Sequence, residues 1–476
     1  MKPRVLVLGD QQTMVDAAVK LGAEVWWAQR PERVRAEEAA APVVTLLTDY
    51  TDPAFVDLVA HLHALRPFDA VVSIQEHALL SLAALNERLG LRGPHRETAR
   101  LVTDKWAMRA RLAERGVSPV AAALGRTADD LRAFGAEHGF PFIAKPVAAT
   151  GSFGVVLVDP HGVDAVAGGF TGTGVSAFLM EEHLDGPEIS VETFTFAGRH
   201  VVLALTDKST GHGFVESGHT MPATLDEAVR AEAVEVVGAF LDAVGLTDGP
   251  SHVEVKLTSA GPRIVEGHCR RGGDRINELV RLAYGVDMEE LTVAWALDRT
   301  EPLAGPPQAL RASAIAFAEA PCGELTAVTG ETEVLADPDV AEVRVLHEVG
   351  RLIGPVRWSG DRAGYVIATG TTPAHAAAKA VASAARLVFT VAAPSDALPS
   401  DAPQQDARQP DAPPSDTRLP TPPQATAAGP GTATGTATAT ATPGPAPHPA
   451  ADRDLSREND LSRHVGYERT DGVCDD

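Results

Sequence analysis

Cysteine is scarce in this chain, and its three copies, Cys269, Cys322 and Cys474, lie far apart. A disulfide framework or a zinc site is not expected from them, and the expected compartment is reducing. Basic residues are also in deficit: the net charge of -23 and pI of about 5.1 argue against a nucleic-acid or acidic-membrane surface, although a locally basic cleft can still hold a nucleotide. No apolar run is long enough to span a bilayer, and the opening apolar segment from Arg4 to Leu8 is too short for a signal-peptide core, so the expected location is the cytoplasm. The dinucleotide fingerprint is missing as well, because Gly9-Asp10-Gln11-Gln12 follows the first strand without G-x-G-x-x-G spacing. What remains is ample for globular structure: 476 residues at 44% hydrophobic can bury a large core in two or more domains.

The stretch Ile264-Val265-Glu266-Gly267-His268-Cys269-Arg270-Arg271-Gly272-Gly273-Asp274-Arg275-Ile276 places a carboxylate, an imidazole and a guanidinium at alternate positions. Alternate residues of a strand share a face, so Glu266, His268 and Arg270 are expected to point together while Val265 and Cys269 pack into the opposite layer. Cys269 then reads as a buried core thiol rather than a nucleophile. The preceding Ser251-His252-Val253-Glu254-Val255-Lys256-Leu257 alternates in the same way, and Ser259-Ala260-Gly261-Pro262 between the two reads as a hairpin turn. Glu254 and Glu266 are thereby placed on neighbouring antiparallel strands with both carboxylates on one side, a pairing that suits Mg2+ completed by water and phosphate oxygens. The competing reading is two polar strand faces turned to solvent.

A third alternating segment sets Glu188, Ser190 and Glu192 on one face, just past Glu181-Glu182-His183-Leu184. Further back, Phe142-Ile143-Ala144-Lys145-Pro146 reads as a buried strand ending in a lysine, followed by a small-residue loop reaching Gly154. Backbone N–H groups in such a loop can close on phosphate oxygens and the lysine adds a point charge, the alternative being a plain turn. Because the lysine precedes the glycines, this is not a Walker loop.

Taken in order, these features resemble the ATP-grasp carboxylate–amine ligases from about Thr103 to Asp298, the whole arrangement extending from Met1 to about Thr390. The resemblance implies that Lys105 and Lys145 contact ATP phosphates. It makes the loop carrying Thr150, Gly151, Ser152, Phe153 and Gly154 a mobile lid, and Glu181, Glu182 and Leu184 the hinge that holds adenine. Glu188 would take the ribose hydroxyls, and Glu254 and Glu266 would hold Mg2+. Within the family the chain is most similar to the amino-acid ligase (dipeptide synthetase) branch, which carries Glu-Ser-His-x-Arg-Pro-Gly-Gly-Asp-Arg-Ile, with Gly267 here in place of Ser and Arg271 in place of Pro. The commoner family pattern has Asn where His268 stands. Since imidazole is softer than Mg2+ prefers, His268 either ligates the metal or hydrogen-bonds a metal-bound water or phosphate oxygen. Arg270 aligns with the family arginine beside the transferring phosphoryl group. Arg275 either binds a substrate carboxylate or pairs with Asp274 or Glu278.

The implied fold is α/β: a Rossmann-like preceding domain over 1–103, a central α+β ATP-grasp domain over 104–300, a small α/β cap over 301–392 and a disordered Pro/Ala/Thr-rich tail over 393–476. Strands from Arg4 to Leu8, Glu24 to Ala28 and Asp69 to Ile74, with a helix from Met14 to Leu21, give the alternating pattern of a parallel sheet. Beyond about Ala393 few large apolar residues remain to offset ordering entropy. The expected chemistry is ATP- and Mg2+-dependent activation of an amino-acid carboxylate as an acyl phosphate, followed by amide formation with an amine and release of ADP and phosphate. A second-substrate pocket is expected to draw on Thr206 to Lys208, Gly211 to Gly213 and Glu216 to His219. The expected partners are small amino-acid-like carboxylate and amine substrates, with no nucleic acid and no membrane, and a homodimer left open. Two other classes stay in view: a biotin-carboxylase-like subunit, for which the chain lacks a Met-Lys-Met biotinyl segment, and a non-catalytic nucleotide-binding module.

Overall fold

Successive residues of the strand Arg4–Leu8 enter two different cores, Val5 and Val7 on one side and Leu6 and Leu8 on the other, as expected of a strand covered on both faces. The computed structural model describes residues 2–31, 43–147, 151–211 and 214–392. The tail expected to be disordered and Thr150 of the lid both lie outside them. The first sheet runs Val44–Leu47, Glu24–Gln29, Arg4–Leu8, Ala70–Val72, all parallel, so the strand order reverses between Arg4–Leu8 and Ala70–Val72. In such sheets ligands lie beyond the carboxyl ends of the strands at the reversal, and here that place is occupied by Gly9, Asp10, Gln75 and Glu76. The strand Val44–Leu47 went unpredicted because it is a mostly exposed edge of four residues with no alternation to mark it.

An eight-stranded antiparallel sheet forms the centre, in the order Gly261–His268, Gly249–Thr258, Glu188–Phe196, Arg199–Thr210, Glu216–Met221, Ala312–Ala318, Gly364–Gly370, Val340–Val345. Three strands of the 301–392 segment thus continue the central sheet, joined to it where Gly218 pairs with Ala316. The rest of that segment contributes the helix Pro373–Ala384 and a small sheet of Leu352–Ile353, Gly323–Thr329 and Val388–Ala392. A four-stranded antiparallel sheet, Ala122–Gly125, Phe178–Glu182, Phe142–Pro146, Val156–Val158, completes the scaffold. No helix among the described residues is long and apolar enough to cross a membrane. Cys269 is free and buried, as the alternation of its strand implies.

Two local devices position the site. Asp104 caps the helix Lys105–Arg115 by accepting from the Ala107 N–H at 3.0 Å, which fixes Lys105 as the first helical residue, and Gly116 ends that helix in the left-handed conformation. The helix Glu227–Val244 lies against the Gly261–His268 strand, and the Phe240 ring fills the space where a Cβ on Gly267 would sit. That contact explains why this chain has Gly where the resembled branch has Ser. Gly267→Ser is therefore expected to destabilise by about 1–3 kcal/mol through overpacking, and Phe240→Leu in the same chain to recover part of the loss, read as urea midpoints of the two variants.

Candidate active site

Glu254 sits directly opposite Glu266, and His252 opposite His268, because a β-bulge between Glu254 and Val255 shifts the register by one residue from the one that the two-residue turn sets. Both carboxylates face a cleft of about 230 Å³ between the two antiparallel sheets, lined also by Lys105, Lys145, Gly151, Ser152, Phe153, Glu181, Glu182, Leu184 and Glu188. A second cavity of about 120 Å³ shares Gly151, Ser152, Glu216, Glu254 and Glu266 with the first and adds Lys208, His219, His252, His268, Arg270 and Asp274. The paired carboxylates form a common wall of the two cavities.

Cations answer each carboxylate in turn. Lys105 Nζ lies 3.1 Å from Glu266, and Lys208 Nζ sits among Glu254, Glu188 and Glu216 at 2.6, 2.7 and 3.2 Å. Burial alone would raise the Glu254 carboxyl, but Lys208 and then His252 hold it well below the usual carboxylate range; Lys105 and then His268 do the same for Glu266. Glu188, Glu216 and Glu254 bring carboxylate oxygens within 4.8 Å of one another, the convergence a divalent cation requires, and Lys208 supplies the positive charge there. Hard oxygen donors on rigid strands fit Mg2+.

Several of the expected site residues have protein partners of their own. His268 lies between two acids: its Nε2 is 3.1 Å from Glu266, and its Nδ1 is 2.9 Å from Glu76, out of line for a hydrogen bond but turned to that carboxylate. Arg275 lines neither cavity, because its guanidinium is 2.6 Å from Glu342, a partner that also accepts from the Tyr365 hydroxyl at 2.6 Å. Glu181 does more than offer backbone: its buried side chain pairs with Lys145 at 2.5 Å and with Arg109. Of the expected second-substrate segments, Lys208, Glu216 and His219 reach the second cavity, while Thr206 is buried and Asp207 accepts from the Thr224 N–H. His212 and Gly213 lie outside the described residues.

Glu76 was missed. It enters from the first sheet, immediately past the strand reversal, and its Oε2 accepts from Arg270 Nε at 2.6 Å. Burial raises its carboxyl, but His268 and Arg270 beside it keep it well below the ordinary range. Its position after the buried run ending at Ile74 was the available signal, since the reversal point of a parallel sheet is where such residues gather. The expected lid is held from the far side: Ser359 N–H donates to the Gly151 carbonyl at 3.2 Å, and Trp358 meets the Phe153 ring edge-on at 6.1 Å.

The cleft between two antiparallel sheets, with Lys105 and Lys145 in its lining and the carboxylate pair on the wall it shares with the second cavity, is the setting in which the domain matches fall. Residues 138–278 match the ATP-grasp domain, 15–93 the ATP-grasp N-terminal domain, and 316–392 L-amino acid ligase C-terminal domain 2. The chain thus carries ATP-grasp domains together with an L-amino acid ligase C-terminal domain. It is 28% identical over 250 residues to alanine–anticapsin ligase of Bacillus subtilis, a match covering 47% of this chain and 52% of that protein. It is 25% identical over 325 residues to the L-arginine-specific L-amino acid ligase of Bacillus subtilis, covering 65% and 77%. The chain thus spans about half the length of the first of these relatives. The L-amino acid ligase structure from Bacillus licheniformis shares the fold with a TM-score of 0.72 at 22% identity, over 82% of this chain and 99% of that one.

His252 gives the site a measurable pH signature. Burial disfavours its charged form, but Glu192 and then Glu254 raise it to about 9. Against an unfolded value of about 6.5, the imidazolium contributes stability that is complete below that pH and lost as pH rises through about 9. The difference in unfolding free energy between the metal-free protein and its His252→Gln variant is expected to shrink by about 3 kcal/mol between about pH 6 and about pH 9.5. Urea titrations of both proteins at the two pH values measure it.

Proposed function

We propose that this chain is an ADP-forming ligase that activates an amino-acid carboxylate as an acyl phosphate and joins it to the amine of a second amino-acid-sized substrate. The observation that carries this reading is the placement of Glu254 and Glu266 on the wall between the two cavities, each neutralised by a lysine that a triphosphate can recruit. Lys105 and Lys145 would bind the phosphates and hold the γ-phosphorus toward the second cavity, and Glu188 would take the ribose. Gly151 to Gly154, steadied by Trp358 and Ser359, would exclude water from the acyl phosphate. Glu254 and Glu266 would hold Mg2+, which when bound supplies charge neutralisation on the transferring phosphoryl group. Arg270, fixed by Glu76, would face the oxyanion that forms when the amine attacks. The match of 316–392 to the ligase C-terminal domain supports this reading over a carboxylase.

Incubation with ATP, Mg2+ and mixed amino acids is expected to yield ADP, phosphate and a dipeptide mass, and hydroxylamine to trap one preferred amino acid as its hydroxamate. Glu266→Gln should reduce turnover by at least about 100-fold, roughly 3 kcal/mol of lost transition-state stabilisation, with the fold intact by circular dichroism. AMP and pyrophosphate as products, or near-normal turnover in that variant, would refute the assignment.

A further inference from the structure

Behind the paired carboxylates lies a layer of buried polar residues to which the reaction above gives no part. Glu192 is fully buried, on the strand next to Glu254, and stands directly opposite His252 in the register. Both of its oxygens lie 3.0 Å from His252 Nδ1. Ser190 donates its hydroxyl to Glu192 Oε1 at 2.6 Å, and Thr206 approaches the same oxygen at 3.5 Å, so the carboxylate is fixed from three sides. The far ring nitrogen, His252 Nε2, is 3.3 Å from Glu254 Oε1.

We propose that Glu192 is a positioning residue for the metal site: it holds the His252 ring so that Nε2–H is aimed at one oxygen of Glu254, leaving the other oxygen turned to the cation. Burying a carboxylate carries a desolvation cost that folding alone has no reason to bear at this position, since an apolar side chain would fill a sheet interior better. Carboxylate–imidazole pairs behind a metal ligand fix its orientation, and their loss typically weakens metal affinity or activity about 10–100-fold. The second carboxylate has a matching arrangement, in which His268 stands between Glu76 and Glu266, and the two imidazoles lie nearly parallel with centroids 6.1 Å apart. The inference rests on the reading of Glu254 as a metal ligand.

The test is the dissociation constant of Mn2+, used as a spectroscopic stand-in for Mg2+, measured by electron paramagnetic resonance on the full-length protein saturated with ADP. Glu192→Gln and His252→Gln are each expected to weaken Mn2+ about tenfold or more, and the double variant no more than the worse single one, because both cut the same chain of contacts. Glu192→Asp, which keeps the charge but withdraws it by one methylene, should fall between and guards against a Gln variant that fails to fold. Glu254→Gln separates the two levels of the claim. If it leaves Mn2+ binding intact, the metal reading itself fails. If it abolishes binding while the Glu192 variants lose only thermal stability and keep the wild-type dissociation constant, or if the single losses multiply in the double variant, Glu192 is structural and the inference is overturned.

Discussion

Glu254 and Glu266 face each other across an antiparallel pair whose Cβ atoms are spaced by roughly 5 Å, and two unit charges at that separation repel by about 3 kcal/mol at an effective dielectric of 20. A fold that keeps both ionised has to bring positive charge from elsewhere. This one brings it from three separate elements: Lys105 at the start of a capped helix, Lys208 from the Arg199–Thr210 strand, and His252 from the same strand as Glu254. The repulsion between two acids thus accounts for the lysines gathered in the cleft. Cations released from carboxylates can turn to phosphate oxygens, and the freed carboxylates to a divalent ion.

The same balance ties the parts of the chain together. Arg270 and His268 leave the central sheet to meet Glu76, which belongs to the parallel sheet of the first domain. Arg271, where the resembled branch has Pro, reaches Gln11 of that domain at 2.8 Å and Asn277 at 2.9 Å. From the other side, Arg362 grips Asp274 with both terminal nitrogens and lies 3.6 Å over the Phe317 ring. The glycine-rich segment after Cys269 is therefore held between the N-terminal parallel sheet and the C-terminal segment.

Sequence reasoning reached the parts of the site whose geometry is local. A period of two puts Glu254 with His252 on one face of its strand and Glu266 with His268 on one face of the next, and that much could be read directly; the two-residue turn alone would set Glu254 opposite Val265, and it is a β-bulge beside Glu254, which no alternation encodes, that brings Glu266 opposite it. Lys105, Lys145 and the lid loop came from the order of motifs along the chain. The partners that sequence reasoning did not foresee share one feature, which is that they lie far away in sequence. Arg275 is claimed by Glu342, His268 by Glu76 and Glu181 by Lys145 and Arg109, across separations that no local pattern encodes. For the same reason the pairing of Ala312–Ala318 with Glu216–Met221 could not be foreseen, and the central sheet is longer than the alternation alone suggested.

The central claim is that the carboxylate pair brings the γ-phosphorus of one cavity against a substrate carboxylate in the other. Transfer of oxygen tests it without reference to which amide is finally made. With the preferred amino acid labelled with 18O in its carboxyl group, turnover with ATP and an amine should place one labelled oxygen in each phosphate released, visible as an isotope-shifted line in the 31P spectrum. Phosphate carrying no label while the amide accumulates would mean that the carboxylate never attacked phosphorus, and the acyl-phosphate role of the carboxylate pair would be wrong.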